Sequence, residues 1–281
     1  MATYLWLALL GFVVGTFGTV IGAGGGFILV PILLLLYPHD RPEVLTSISL
    51  TVVFFNAASG SLAYARQRRI DYRSAVLFSM AAIPGAILGA MSTSALPRRM
   101  FDAILGAMMI LGAIALIHRP RHDEPQAVSG GAGYGPATTP VGSQEASTPA
   151  GSANSSRTAA GMLISVVVGF VSSLLGIGGG IVHVPALIRI LKFPVHVATA
   201  TSHMILAIMA LAGTLVHVVS GAFSRGTHRT VALSVGVILG AQLGAQLSNR
   251  FRGRWIVRGL AVGLAFVGAR VLSQAFTPLG E

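Results

Sequence analysis

The chain contains no cysteine, which excludes disulfide bonds, thiolate metal ligands and thiol catalysis. Charged residues are also scarce: they make up 10% of the 281 positions, against about 25% in a typical soluble domain. With 53% hydrophobic residues and so little charge, the chain cannot cover a water-facing surface. The composition therefore predicts an all-α polytopic membrane protein.

Acidic residues are the scarcer charge, with 8 Asp and Glu against 19 Lys and Arg. Every carboxylate lies in a loop, in a central polar segment, in the C-terminal tail or at the end of an apolar run. Cation carriers and many proton-driven pumps keep an acidic residue at mid-membrane depth, so an anion-selective path fits this chain better.

The net charge of +11 does not indicate nucleic-acid binding, because the arginines lie between apolar runs. In that position they set membrane topology and contact anionic lipid. The chain also lacks an ATP-binding motif, paired carboxylates and a Ser-His-Asp set at usable spacing. We therefore predict that it is not an enzyme and that it has no cofactor and no resident metal.

Eight apolar runs form two sets, which a polar segment separates. The first set occupies residues 1–117 and the second occupies 159–281. Residues 118–158 between them are rich in Gly, Ser, Pro, Thr and Ala. Because a segment of that composition cannot bury a core, we predict a disordered linker between two membrane repeats.

The most distinctive feature that the chain does contain is a duplicated glycine-rich element. Residues 22–31 read GAGGGFILVP, and 176–185 read GIGGGIVHVP, a shift of 154 positions. In each half a Thr-Ser pair and then a Gly-x-x-Leu-Gly-Ala segment follow, both at a shift of 155. Agreement across several separate segments predicts two homologous halves that share one fold.

The duplicated element lies inside the first apolar run of each half, 4–36 and 160–191. Both runs are longer than the roughly 20 residues that span a bilayer. Because glycine and proline weaken a helix, we predict that each run breaks at its glycines. The broken run is either one kinked span or a re-entrant segment.

The positions of Lys and Arg distinguish these two arrangements. With simple kinked spans, the positive residues divide almost evenly between the two sides of the membrane. With re-entrant first runs the second half is inverted, and the linker side gains a clear excess of positive charge. The positive-inside rule therefore favours inverted repeats, a cytoplasmic linker and periplasmic termini.

The Gly-x-Gly-Gly-Gly-x-x-x-Val-Pro element, with the Thr-Ser pair and the Gly-x-x-Leu-Gly-Ala segment that follow it, resembles the TauE/SafE-type sulfite exporter family of membrane permeases. The resemblance covers both halves and leaves out the linker, which is long for the family. It implies a carrier, usually an exporter, of sulfite, sulfonates such as sulfoacetate or related small anions. The implied location is the bacterial inner membrane.

Helix breaks in lipid expose backbone N–H groups, and the N-termini of half-helices attract anions. We therefore predict a substrate site between the halves, which would rock around it to give alternating access. Two structural alternatives stay open: glycines that serve helix packing and hydroxyls that cap helices. The predicted substrate-binding residues are Gly24, Gly25, Gly26, Thr46, Ser47, Gly178, Gly179, Gly180, Thr201, Ser202 and His203.

Three histidines of the second half, His183, His203 and His217, lie within or near apolar runs and are not part of the family motif. Since imidazole exchanges protons near neutral pH, they are candidates for proton coupling, with hydrogen-bonded structure as the alternative. A divalent-metal carrier or channel that uses all three is the alternative function, and a non-transporting membrane scaffold is a further one. The expected partners are the small anionic substrate and the lipid bilayer; a homodimer stays open.

Overall fold

The computed structural model describes residues 2–117, 155–248 and 254–276. Within those ranges the chain forms ten α-helices and one short 3-10 helix, without a strand, so the predicted all-α class is confirmed. The first half contains α1 (Ala2–Ile21), α2 (Gly26–Leu36), α3 (Pro42–Arg66), α4 (Tyr72–Thr93) and α5 (Arg98–Ile117). The second half contains α6 (Ser155–Leu175), α7 (Gly180–Ile190), α8 (Val195–Val219), α9 (Thr227–Leu247) and α10 (Arg254–Phe276).

The predicted linker, 118–158, lies outside the described residues except at its end, where α6 begins. In the described ranges, 6 helices are long and apolar enough to cross a membrane: α1, α3, α4, α6, α8 and α9. The predicted multi-pass membrane protein is confirmed. With 11 residues each, α2 and α7 reach only about half of the roughly 30 Å of bilayer hydrocarbon.

Both long apolar runs break at the predicted glycines, between α1 and α2 and between α6 and α7. Gly24 and Gly25 have φ angles of 77° and 78°, a left-handed backbone that favours glycine. The chain turns back along α1 here, because Gly25 lies against Gly18 and Val14. Gly178, with φ 73°, takes the same conformation in the second break.

Contacts between α1 and α9 define their relative direction. Gly11 lies beside Leu233, and Thr16 lies beside Gly244, so residue numbers rise together and the two helices run parallel. Contacts of the same kind show that α4 runs parallel to α6, α3 to α9 and α8 to α4.

Contacts between α3 and α8 run in the opposite order. Leu50 lies beside Gly213, whereas Gly60 lies beside His203, so α3 and α8 are antiparallel. Helices α1, α3 and α9 therefore point one way, and α4, α6 and α8 point the other way. The first helices of the two halves, α1 and α6, run in opposite directions, and the inverted repeat stays a prediction. Which end faces the cytoplasm stays a prediction.

The main helix pairs join opposite halves: α1 packs on α9, α4 on α6, α3 on α8 and α5 on α10. Small residues allow this close approach, because a carbon added to Gly15 would lie 2.7 Å from the Val237 backbone. Such glycine-lined contacts are typical of membrane helices. The two halves are therefore interlocked and do not pack as separate bodies.

Candidate functional site at the two helix breaks

The two glycine-rich breaks lie directly against each other. A carbon atom added to Gly26 would lie 2.6 Å from the carbonyl oxygen of Gly176. One added to Gly180 would overlap the carbonyl oxygen of Gly22. Glycine is needed at both places because any side chain would push the two halves apart.

Val53 of α3 and Leu206 of α8 mark the depth at which the breaks meet. A carbon atom added to Gly24 or to Gly178 would contact both of these side chains. Val53 lies near the middle of α3, and Leu206 lies near the middle of α8. The breaks therefore meet about halfway along the spanning helices.

A serine from each half donates a hydrogen bond to the break of the other half. The Oγ of Ser49 donates to the carbonyl oxygen of Gly176 at 2.6 Å. The Oγ of Ser202 donates to the carbonyl oxygen of Gly22 at 3.4 Å. Both serines are fully buried, so equivalent polar contacts tie each break to the opposite half.

These serines correct the register that the sequence predicted. Matching Thr-Ser pairs made Ser47 the counterpart of Ser202, a shift of 155. However, α3 and α8 both contain 25 residues, and their bounds give a shift of 153. Ser49 is therefore the counterpart of Ser202, and Thr46 is the counterpart of Thr199. The prediction was wrong by two positions because the shared pattern is Thr-x-x-Ser.

Two of the predicted site residues make their hydrogen bonds away from the breaks. The Oγ of Ser47 donates to the Val44 carbonyl of its own helix at 2.8 Å. The Oγ1 of Thr201 accepts from the Asp71 amide at 3.1 Å, at the start of α4. The Ser47 hydroxyl thus bonds within a turn of α3, and the Thr201 hydroxyl bonds to the residue that precedes α4.

Thr46 and Thr199 flank the breaks on the two sides. A carbon atom added to Gly176 would lie 3.2 Å from Thr46, and one added to Gly22 would lie 2.8 Å from the Thr199 methyl group. The Oγ1 of Thr46 is buried without a hydrogen-bond partner in the described part of the chain. Ser49 and Thr199 were not among the predicted site residues, although the Thr-x-x-Ser pattern could have identified them.

His183 joins the second break to α6. Its Nδ1 lies 3.2 Å from the carbonyl oxygen of Gly179, and its Nε2 lies 3.3 Å from the Oγ of Ser165. The imidazole is buried. It thus fastens the first turn of α7 to the preceding helix.

The other two histidines lie apart from His183 and from each other. His203 packs edge-on against Tyr64, with ring centroids 5.5 Å apart. His217 follows on the same helix about 21 Å further along its axis. Across the described ranges, no three His, Cys, Asp or Glu side chains come together as a metal-binding group. The structure does not assemble the three-histidine site that the metal alternative requires.

The two ends of the bundle differ in how their positive charges are paired. At the end where α3 begins, Arg229 pairs with Asp40 and Arg98 pairs with Asp102. We call the opposite end the cationic end, and none of the positive residues described there forms an ion pair with another described residue. These residues are Arg66, Arg68, Arg69, Arg73, Arg189 and Lys192.

Membrane-crossing helices with two half-helices that meet at half depth define a membrane transporter and not an enzyme. The chain belongs to the family described as Sulfite exporter TauE/SafE. The sequence profile of that family matches residues 7–271, which include both breaks. The resemblance that the glycine motifs indicated is confirmed.

Several relatives of this chain are named as probable membrane transporter proteins. The chain is 30% identical over 225 residues to the probable membrane transporter protein YunE of Bacillus subtilis, covering 78% of this chain and 80% of the relative. It is 24% identical over 212 residues to a probable membrane transporter protein of Methanocaldococcus jannaschii, covering 74% of this chain and 69% of the relative. It is 25% identical over 207 residues to a probable membrane transporter protein of Xylella fastidiosa, covering 74% of this chain and 69% of the relative. No solved structure matches the chain.

Proposed function

We propose that the chain carries sulfite, an organosulfonate or a related small oxyanion across the bacterial inner membrane, as an exporter. The observation that supports this most directly is the contact of the two glycine-rich breaks at half depth. Sites of secondary transporters are formed in this way, where discontinuous helices from two repeats meet near the bilayer midplane.

The charge distribution favours an anion at the breaks. Both α2 and α7 begin there, and the first N–H groups of a helix carry partial positive charge. In the described ranges every carboxylate lies outside the helices or near a helix start, at Asp40, Glu43, Asp71 and Asp102. No negative charge in those ranges therefore opposes an oxyanion at the centre of the bundle.

The reciprocal serine contacts support the proposal of alternating access. In this structure the breaks are closed on each other, and Ser49 and Ser202 donate to break carbonyls. Any movement that separates the two breaks would break both bonds together. The freed hydroxyls then become donors for the oxygens of the anion, beside the N–H groups of the half-helices.

The proposed orientation places the cationic end and the linker in the cytoplasm, as the positive-inside rule requires. A cytoplasmic anion would then approach an end whose positive charges are unpaired. Such a surface raises the local concentration of an anionic substrate, which suits an exporter.

Flux in proteoliposomes tests the proposal. Purified protein is assayed with sulfite, sulfate, thiosulfate, sulfoacetate and small carboxylates, and we expect flux of sulfite or of a sulfonate. Ser202→Ala and Gly179→Leu should each reduce this flux, because one removes a donor and the other pushes a side chain against Val168. Ser79→Ala is the matched control, since Ser79 bonds within its own helix.

Each outcome of the flux assay has a separate meaning. Absence of flux for every anion would show that the proposed function is wrong. Wild-type flux in both Ser202→Ala and Gly179→Leu would show that the substrate does not use the breaks, even if the chain is an anion transporter.

A further inference from the structure

A second buried polar cluster lies between α1, α3 and α8, beside the first break. We call it the Asn56–His203 cluster. Its four side chains, Thr19, Asn56, Tyr64 and His203, are each at most 1% exposed. Thr19 Oγ1 donates to Asn56 Oδ1 at 3.2 Å, and the Tyr64 hydroxyl donates to the Thr19 carbonyl at 3.0 Å.

The cluster contains polar atoms that have no hydrogen-bond partner in the part of the chain that the structure describes. Asn56 Nδ2 and both ring nitrogens of His203 make no hydrogen bond with the described residues. The His203 ring also interacts with the backbone of Thr199, one turn earlier on α8. The Nε2 atom of His203 lies close to Gly60: a carbon atom added to Gly60 would be 3.2 Å from Nε2.

Such unpartnered groups are costly to bury. A buried donor without an acceptor destabilises a protein by about 1–3 kcal/mol. Buried polar side chains therefore nearly always have a partner, and an unpartnered group requires an explanation. Two neighbouring side chains, both able to donate, indicate a bound acceptor.

The equivalent place on the other side of the breaks has apolar side chains instead of Asn56 and His203, with the buried Ser173 and His217 instead of Thr19 and Tyr64. At the shift of 153 that relates α3 to α8, Met209 corresponds to Asn56, and Leu50 corresponds to His203. Leu50 lies beside Gly213 of the second half, just as His203 lies beside Gly60, the matching glycine of the first half. Apolar side chains can therefore pack at this place, so packing alone does not require an amide and an imidazole.

The cluster lies between the breaks and the cationic end. Asn56 is about half a helical turn beyond the midpoint of α3, and Tyr64 is near the end of that helix. The backbone amide of Arg69 donates to the Tyr64 carbonyl at 3.3 Å, which ties the cluster to the loop of positive residues. An anion that enters from this end reaches the cluster before it reaches the breaks.

We propose that the Asn56–His203 cluster is a second binding site for a small oxyanion, on the path from the cationic end to the breaks. This inference rests on the proposed function and adds a second position for the same substrate class. Asn56 Nδ2 and the Nε2–H of His203 donate to oxygens of the anion. Thr19 orients the amide, and the Tyr64 ring supports the imidazole. Because Met209 and Leu50 occupy the positions equivalent to Asn56 and His203, the path differs on the two sides of the breaks.

Substitutions copied from the other half test the site. Asn56→Met and His203→Leu introduce the residues that already pack at the equivalent positions. We expect each to weaken sulfite binding to the purified full-length protein at least about tenfold, measured by titration calorimetry in detergent, because each removes a hydrogen bond to a charged ligand. Thr214→Val removes another buried, unpartnered hydroxyl of α8 and should leave the affinity within about twofold.

A second variant covers the case in which Asn56→Met does not fold. Asn56→Asp keeps the shape of the side chain and replaces the donor with a carboxylate, so it should abolish sulfite binding. Sulfite affinity that is unchanged in Asn56→Asp and in His203→Leu would overturn the second site and leave the proposed function standing. An equal loss in Thr214→Val would also overturn it, because general loosening would then explain the effect. Absence of sulfite and sulfoacetate binding in the wild-type protein would overturn the proposed function itself.

Discussion

At the scale of single residues, glycine sets how closely the two halves approach. Gly26 lies against the carbonyl of Gly176, and Gly180 lies against that of Gly22. Neither Gly26 nor Gly180 has a positive φ angle, so these two positions need glycine for space and not for backbone conformation. Gly24 and Gly25 need it for their left-handed backbone. The run of glycines thus combines two separate requirements.

We expect Gly26→Ala to lower the stability of the protein by about 1–3 kcal/mol, because its methyl group would lie 2.6 Å from the Gly176 carbonyl and 2.7 Å from Val53. The matched control is Gly263→Ala in α10, where an added carbon meets nothing within 4 Å and alanine favours the helix. Thermal unfolding in detergent measures both variants. If Gly26→Ala unfolded at the wild-type temperature, the two breaks would not be in contact.

At the scale of helices, the sequence predicted the breaks well and the register poorly. The breaks follow from local chemistry, since successive glycines weaken a helix; the prolines, Pro31 and Pro185, lie inside α2 and α7 and do not form the breaks. The register depends on loop lengths. The connection before α3 comprises residues 37–41, and the one before α8 comprises 191–194, so the shift between the halves falls from 154 to 153 at this point. Loops change length at little energetic cost, and the matching of short motifs did not detect this change.

The antiparallel contact of α3 with α8 can be tested by cross-linking, since the chain has no cysteine of its own. We expect the pair Leu50→Cys and Gly213→Cys to react with a short bifunctional thiol reagent, because Leu50 lies 3.1 Å from a carbon added to Gly213. The pair Leu50→Cys and His203→Cys is the control, because those residues would meet if the two helices ran parallel. Cross-linking of the control pair alone would contradict the observed helix directions.

At the scale of the whole molecule, the contacts that form the candidate site join residues far apart in the chain. Ser49 reaches Gly176, and Ser202 reaches Gly22. The sequence predicted that the halves meet at the glycines, because duplicated breaks imply a shared site. It did not predict that Ser49 bonds to the break of the other half, because a hydrogen bond across the bundle depends on helix packing, although the Thr-x-x-Ser pattern marks the residue.

The orientation in the membrane can be measured by labelling single cysteines in whole cells. Arg68 and His39 are both exposed, and they lie at opposite ends of α3. We expect Arg68→Cys to be protected from a membrane-impermeant thiol reagent and His39→Cys to react with it, because the positive-inside rule places the Arg68 loop in the cytoplasm. The reverse labelling pattern would invert the proposed orientation, and the unmodified chain gives the background.

The interlocked packing of the halves also has a consequence for biosynthesis. Helix α1 finds its main partner in α9, and α4 finds its partner in α6, so the ribosome must synthesise most of the chain before these pairs can form. Until then, the glycine-lined faces of α1 and α4 lack the helices that they pack against in the complete chain. A nascent chain that stops after the first half would leave these faces without their helices and would be a substrate for membrane proteases. Quality control can therefore discriminate complete chains from truncated ones by this packing alone.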